Sequence, residues 1–209
     1  MPSDTTSKMF TFKGLSIETN ANVYDPAEDT FLLLEALNVK PNDCVLEIGI
    51  GCGIISLECA RLGAQVVGVE VNPFAVKLAG KNFQRNKSLL NGGVDFRVGD
   101  LFSSVKPDER FDVIIFNPPY LPTKEHEKVG GWFDVAVNGG VDGFKVVRRF
   151  LSEVKKYLLK EGNVFFVFSS LANEKLLVSI LSELKMSSNV VLSRSFNDET
   201  LKVYNLTKM

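Results

Sequence analysis

The chain has 209 residues, 45% hydrophobic and 23% charged, with net charge −1 and a pI near 6.0, which suits one domain with a sizeable core. A protein that tracks a phosphate backbone usually carries a basic excess, and none is visible, so composition weighs against a nucleic-acid partner. The start MPSDTTSKMF has no apolar leader, no apolar run is long enough to span a membrane, and Cys44, Cys52 and Cys59 form no CxxC pair, so reduced thiols, a cytoplasmic location and no metal site are expected.

Residues 1–23 alternate weakly through Phe10, Phe12, Leu15, Ile17 and Val23 and are expected as an arm or short hairpin over the core of a single domain, 1–209. Asp25, Pro26 and Glu28 then read as N-cap, N1 and N3 of a helix reaching about Leu37. That pattern leaves Thr30 and the crowding of three acids at one helix start unexplained. Val45–Ile50 reads as an apolar strand running into the glycines Gly49, Gly51 and Gly53, followed by a helix to about Leu62 and a strand over Gln65–Val71. Asn72 and Pro73 are an N-cap and N1 pair opening a helix to about Lys87. Asn91-Gly92-Gly93 turns the chain into a strand, Val94–Gly99, that ends at Asp100, and Phe111–Phe116 is the next strand.

Leu121–Val141 has no clear periodicity and holds the sole tryptophan and the sole histidine, Trp132 and His126, which reads as a functional loop or lid. Asp142–Leu159 is helical, with Phe144, Val147, Phe150, Leu151, Val154 and Leu158 recurring every three or four residues. Gly162 leads into a strand over Asn163–Ser169, then a helix from about Ala172 to Met186. Strands near Asn189–Phe196 and Thr200–Thr207 follow, and their short link makes them an antiparallel hairpin. The whole is an α/β chain with a doubly wound, seven-stranded, mostly parallel sheet and one antiparallel strand near an edge.

The chemistry concentrates at strand ends. Asn117-Pro118-Pro119-Tyr120 closes the FDVIIF strand in a stiff, extended corner, because each proline restrains itself and the residue before it. Such a corner suits a planar –NH2: Asn117 Oδ1 and the Pro118 carbonyl can each accept one N–H while Tyr120 stacks on the flat face. The plainer alternative is a strand-ending turn with a capping asparagine. Gly49, Gly51 and Gly53 let backbone approach a ligand, yet Ile54 stands where the dinucleotide fingerprint needs its third glycine. Glu70 ends the second strand, where a carboxylate can accept both ribose hydroxyls, with Val71 beside it. Asp100, followed by Leu101, can accept from an adenine amino group, and Glu47 can face a cationic sulfonium. Each acid alone is equally a solvated strand end. Should Val94–Val98 lie at the sheet edge, its unpaired backbone groups need either a partner strand or blunting by Asp95 and Arg97.

The spacing E-x-G-x-G-x-G at 47–53 and the corner at 117–120 resemble class I methyltransferases that alkylate amide or exocyclic amino nitrogens with S-adenosylmethionine. The run Tyr24-x-Pro26-Ala27-Glu28-Asp29-Thr30-Phe31-Leu32-Leu33-Leu34, Asp100-Leu101, Phe116 to Tyr120 and Gly139-Gly140-x-Asp142-Gly143 narrow the resemblance further. It is to HemK-type protein-glutamine N5-methyltransferases of the short archaeal and eukaryotic branch. The resemblance implies that Thr30, Glu47, Gly49, Gly51, Gly53, Glu70, Val71, Asp100, Leu101 and Asn117 hold S-adenosylmethionine. It implies that Asn117, Pro118, Pro119 and Tyr120 grip a glutamine amide of a class-I translation release factor, in its Gly-Gly-Gln loop. It also implies a small zinc-binding activator protein as partner, and the Val94–Val98 edge is the place expected for it to dock. The chain departs from the pattern at Val135-Ala136-Val137-Asn138, where some relatives have a tryptophan, and the arm over 1–23 stands in place of the bacterial helical domain. N6-adenine methylation of a flipped base would use the same corner, and a non-enzymatic scaffold would need only the cofactor loop.

Overall fold

The computed structural model of the chain describes residues 7–123, 126 and 130–209. In chain order it has β1 (Lys8–Phe12), β2 (Leu15–Thr19), α1 (Glu28–Ala36), β3 (Cys44–Ile48), α2 (Ile54–Arg61), β4 (Gln65–Glu70), α3 (Pro73–Asn86) and β5 (Val94–Val98). There follow β6 (Phe111–Phe116), α4 (Gly131–Val137), α5 (Lys145–Tyr157), β7 (Leu158–Ser169), α6 (Glu174–Glu183), β8 (Met186–Phe196) and β9 (Glu199–Lys208). The large sheet has the order β5-β4-β3-β6-β7-β9-β8. Only β9 runs against its neighbours, so the expected sheet with one reversed strand near an edge is the observed one.

Alternation along each strand splits the core in two. Val113 and Ile115 of β6 face α1, α2 and α3, together with Leu32, Leu57 and Leu78. Ile114 and Phe116 face α5 and α6, among Phe150, Val154 and Leu177. A strand buried on both faces has to be apolar at every position, as FDVIIF nearly is. Each such side chain contributes about 1.5–3 kcal/mol when fully buried. The arm is the expected hairpin: β1 pairs with β2 from Lys8↔Thr19 to Phe12↔Leu15, and Leu15 and Ile17 are buried under it. Asn82 and Asn86 of α3 bind its backbone at both ends, accepting from Glu18 N–H at 2.9 Å and Ser16 N–H at 2.8 Å. The start of the expected arm, 1–6, lies outside the described residues.

Several local expectations are corrected. Asp25 does not cap α1; the helix begins at Glu28 with no side-chain cap, and Asp25 pairs instead with Lys8 at 3.2 Å. Ala27 takes the N-cap position instead, in extended backbone at φ −125°, so Asp25 lies before the helix start. Residues 121–141 are not structureless, because Gly131–Val137 is helical and Leu121 bridges to Asn138. A seven-residue helix is too short to display its period. Residues 124, 125 and 127–129 of that expected loop lie outside the described residues. β7 starts at Leu158, directly after α5, and Gly162 lies inside it rather than before it. A Cβ there would come within 3.0 Å of the Phe111 carbonyl oxygen, where the pairing with β6 shifts register.

Candidate active site

Parallel pairing sets Ile48 level with Val69 and with Phe116, which brings the carboxyl ends of β3, β4 and β6 to one edge. Ligands bind at this edge in open α/β sheets. A cavity of about 400 Å³ opens there, within the range of small-molecule sites. Its wall includes Thr30, Glu47, Gly49, Gly51, Glu70, Val71, Asp100, Leu101 and all of Asn117, Pro118, Pro119 and Tyr120. Residues as far apart in sequence as Val23 and Arg149 thus meet in one cleft. Gly53 is the exception among the expected cofactor residues. It lies behind the loop, off the cavity wall, where a Cβ would come within 2.9 Å of the Ala79 Cβ. Its backbone is left-handed at φ +85°, so it serves the packing of α2 on α3.

The wall has a chemistry suited to a nucleoside. Gly51 has φ +53° and open space where a Cβ would stand. Its N–H donates to Glu70 Oε2 at 3.1 Å, and Asn72 N–H donates to Glu70 Oε1 at 2.9 Å. Each oxygen keeps a further lone pair for an outside donor, and burial pushes the Glu70 carboxyl above its ordinary range. Asp100 pairs with Arg149 at 2.8 Å at the half-exposed far end of the cavity. Trp132 of α4 meets Phe74 of α3 edge-on, ring centres 6.5 Å apart, at the rim.

Glu47 is buried beneath the glycine turn and accepts from the Ser56 hydroxyl. Burial pushes its carboxyl up to about 8, against an ordinary 4.5. Between those values the folded chain keeps a proton that the unfolded chain gives up, so stability from this position is lost as pH rises through that window. Calorimetry of the cofactor-free protein should therefore show Glu47→Gln gaining on wild type from pH 5 to pH 8, by at least about 2 °C in Tm. A gap that does not change with pH would remove the account of a buried charge.

At the corner, Asn117 Nδ2 donates to Asp29 Oδ2 at 3.0 Å. Its Oδ1 is buried and has no hydrogen-bond partner among the described residues. A buried amide oxygen without a donor is costly, by about 1–3 kcal/mol, so this atom is suited to a donor brought by a ligand. The Tyr24 and Tyr120 hydroxyls each lie 3.4 Å from the same Asp29 oxygen. Burial, then the Asp29 charge, pushes both phenols well above their ordinary range. Both rings are therefore neutral donors at working pH.

Asp29 and Tyr24 are the site residues that the sequence reading did not select. Both stand in the Tyr24 to Leu34 motif that carries the resemblance, and the crowding of acids at the start of α1, which the capping pattern leaves unexplained, is the further signal for Asp29. His126, in the expected lid, is exposed and does not line the cavity.

Comparison with known proteins places the chain. Residues 16–133 match the family described as Methyltransferase small domain. A relative from Methanocaldococcus jannaschii that carries the name of a protein N5-glutamine methyltransferase is 41% identical over 198 residues, spanning 94% of this chain and 98% of that protein. Human Methyltransferase HEMK2 is 31% identical over 198 residues, spanning 90% of this chain and 91% of that one. Among solved structures, the Mtq2–Trm112 complex of E. cuniculi, described as responsible for methylating the eRF1 termination factor, matches with a TM-score of 0.69. That match is 25% identical and covers 90% of this chain and 99% of the other. With the glycine loop, the acid-lined cleft and the asparagine corner in one cavity, the chain belongs to the protein N5-glutamine methyltransferases, enzymes that use S-adenosylmethionine as cofactor.

Proposed function

We propose that this enzyme methylates the side-chain nitrogen of the glutamine in the Gly-Gly-Gln loop of a class-I translation release factor, in the cytoplasm. The observation that carries the reading is the buried Oδ1 of Asn117, without a hydrogen-bond partner among the described residues, on a residue that lines the same cleft as the glycine loop and Glu70. The relative from E. cuniculi acts on a termination factor. Among the described residues no helix is long and apolar enough to cross a membrane.

In this reading Glu70 and Val71 hold the ribose side of the cofactor, Asp100 and Leu101 the adenine, and Thr30, Glu47, Gly49 and Gly51 the amino-acid end. S-adenosylmethionine supplies an activated methyl group. The chain has to make a poor nucleophile reactive, because an amide lone pair is delocalised into the carbonyl. Asn117 Oδ1 and the Pro118 carbonyl each accept one amide N–H, and Tyr120 covers the flat face, which fixes the nitrogen in one direction. Orientation of this kind supplies about 7–11 kcal/mol when the geometry is ideal. The two acceptors also strengthen their bonds as positive charge grows on the nitrogen. No base is required before transfer.

A small zinc-binding activator is proposed to dock on β5. That strand is an edge of the sheet, and Val98, 55% exposed, stands at its end. Asp95 and Arg97, the pair expected to blunt the edge, bond to each other on β5 at 2.7 Å, and Arg97 also pairs with Glu109 at 2.7 Å and holds the loop that follows.

Purified release factor incubated with labelled S-adenosylmethionine and this enzyme, alone and with the candidate activator, should gain one methyl on the loop glutamine by peptide mass spectrometry. The activator should co-purify with the wild type but not with Val98→Lys. Label on DNA adenine rather than on the release factor would overturn the substrate. Equal co-purification of both proteins would overturn the docking edge.

A further inference from the structure

The two ends of an asparagine carboxamide have nearly the same shape, so packing alone cannot decide which end of Asn117 faces the cavity. Only hydrogen bonding can. We propose that Asp29 is the positioning residue that makes this choice. The inference rests on the function proposed above and deepens it.

Asp29 is the second residue of α1 and is 6% exposed. Its Oδ1 accepts from the Thr30 N–H at 2.6 Å and from the Thr30 hydroxyl at 3.2 Å. Its Oδ2 accepts from Asn117 Nδ2 at 3.0 Å, with the Tyr24 and Tyr120 hydroxyls 3.4 Å away. Among the described residues no lysine or arginine pairs with it, so its charge is held by neutral donors alone. An ionised carboxylate accepts and never donates. Facing Oδ2, Asn117 must present its NH2, which leaves its oxygen, without a partner among the described residues, as the end free to accept a substrate N–H. The same oxygen gathers Tyr24 and Tyr120, so one carboxylate sets the amide acceptor and the ring that covers it.

An amide at position 29 has the same outline but brings a donor where only acceptors stood. Asp29→Asn should turn the Asn117 carboxamide over, pointing a donor at a donor. Asp29→Ala removes the constraint without reversing it, leaving both orientations populated. The isosteric change should therefore be the more harmful: kcat down at least about 100-fold for Asp29→Asn, and clearly less for Asp29→Ala, with cofactor Kd within about threefold of wild type for Asp29→Asn, whose remaining oxygen still accepts from Thr30. Combining Asp29→Asn with Asn117→Asp exchanges donor and acceptor and returns an oxygen to the cavity. That double variant should recover at least about tenfold over Asp29→Asn.

Hydrogen exchange of the Asn117 side-chain NH2, followed by NMR in the cofactor-free protein, gives a readout that needs no substrate. Exchange should be slow in wild type and fast in Asp29→Asn. The proposal is overturned if alanine is as damaging as asparagine, if the double variant recovers nothing, if Asp29→Asn loses cofactor affinity as much as kcat, or if the NH2 exchange is unchanged. A wild type that never methylates a release factor overturns the substrate reading, and the exchange measurement still decides the role of Asp29.

Discussion

Asn117→Ala should abolish methyl transfer, lowering kcat at least about 1000-fold, while S-adenosylmethionine binds within about threefold of its wild-type affinity. The corner follows β6, beside Gly49 and separated from the Glu70 end of β4 by β3, and the atom removed is Oδ1, which has no hydrogen-bond partner among the described residues. Little is lost from the resting structure: Asp29 keeps the Thr30 N–H and hydroxyl, and the two phenols remain in reach. A great deal is lost from the transition state. A bound amide would keep the Pro118 carbonyl but lose its second acceptor, so the nitrogen would swing about the remaining bond. One misdirected hydrogen bond of this type costs about 2.7–4 kcal/mol, and the loss of orientation adds to it. Single-turnover assays beside calorimetric titration with the cofactor check both halves. Wild-type turnover in the variant would end the proposed role of the corner. Cofactor binding lost in step with turnover would instead make Asn117 part of the cofactor wall, as the family resemblance also implies.

Glu70→Ala should have the opposite signature, a cofactor Kd raised at least about 100-fold. Glu70 holds the loop through the Gly51 N–H on one side and the Asn72 N–H on the other, and it offers the lone pairs that remain. Hydrogen bonds to a charged group contribute about 1.5–3 kcal/mol each, so losing two to a ligand gives about a hundredfold or more. Burial holds the carboxyl above its ordinary range, which means the resting protein carries an expensive charge that incoming donors relieve. Glu70→Gln keeps the shape but sets an NH2 against one of the two backbone N–H groups, so it should fall between alanine and wild type. Titration calorimetry of the three proteins tests the order. An alanine variant that binds as wild type does would remove Glu70 from the cofactor site.

Much of this architecture is legible in one sequence because it is set by local chemistry. FDVIIF is apolar at every position but Asp112, so it has to be a strand covered on both faces, and its observed limits are Phe111 and Phe116. Asn72 and Pro73 cap and open α3 as such a pair should, with Asn72 accepting from the Phe74 N–H. The acids and glycines that end β3, β4 and β5 are legible for the same reason: parallel strands deliver their carboxyl ends to one edge, whatever else the chain does. Capping at Asp25 fails because the helix starts later than the local pattern predicts, with Ala27 at the N-cap position. Helix α4 is invisible because a short helix that spans no core has no apolar period to show.

Asn117 and the corner that holds it follow from proline stereochemistry and could be named without coordinates. Which way Asn117 points could not. That depends on Asp29, 88 residues earlier, and nothing local distinguishes Asp29 from the other acids beside it. The short-range rules of backbone and side chain decide where chemistry is available. The direction in which a symmetric-looking amide faces is a long-range hydrogen-bonding choice, made only when the start of α1 packs against the end of β6.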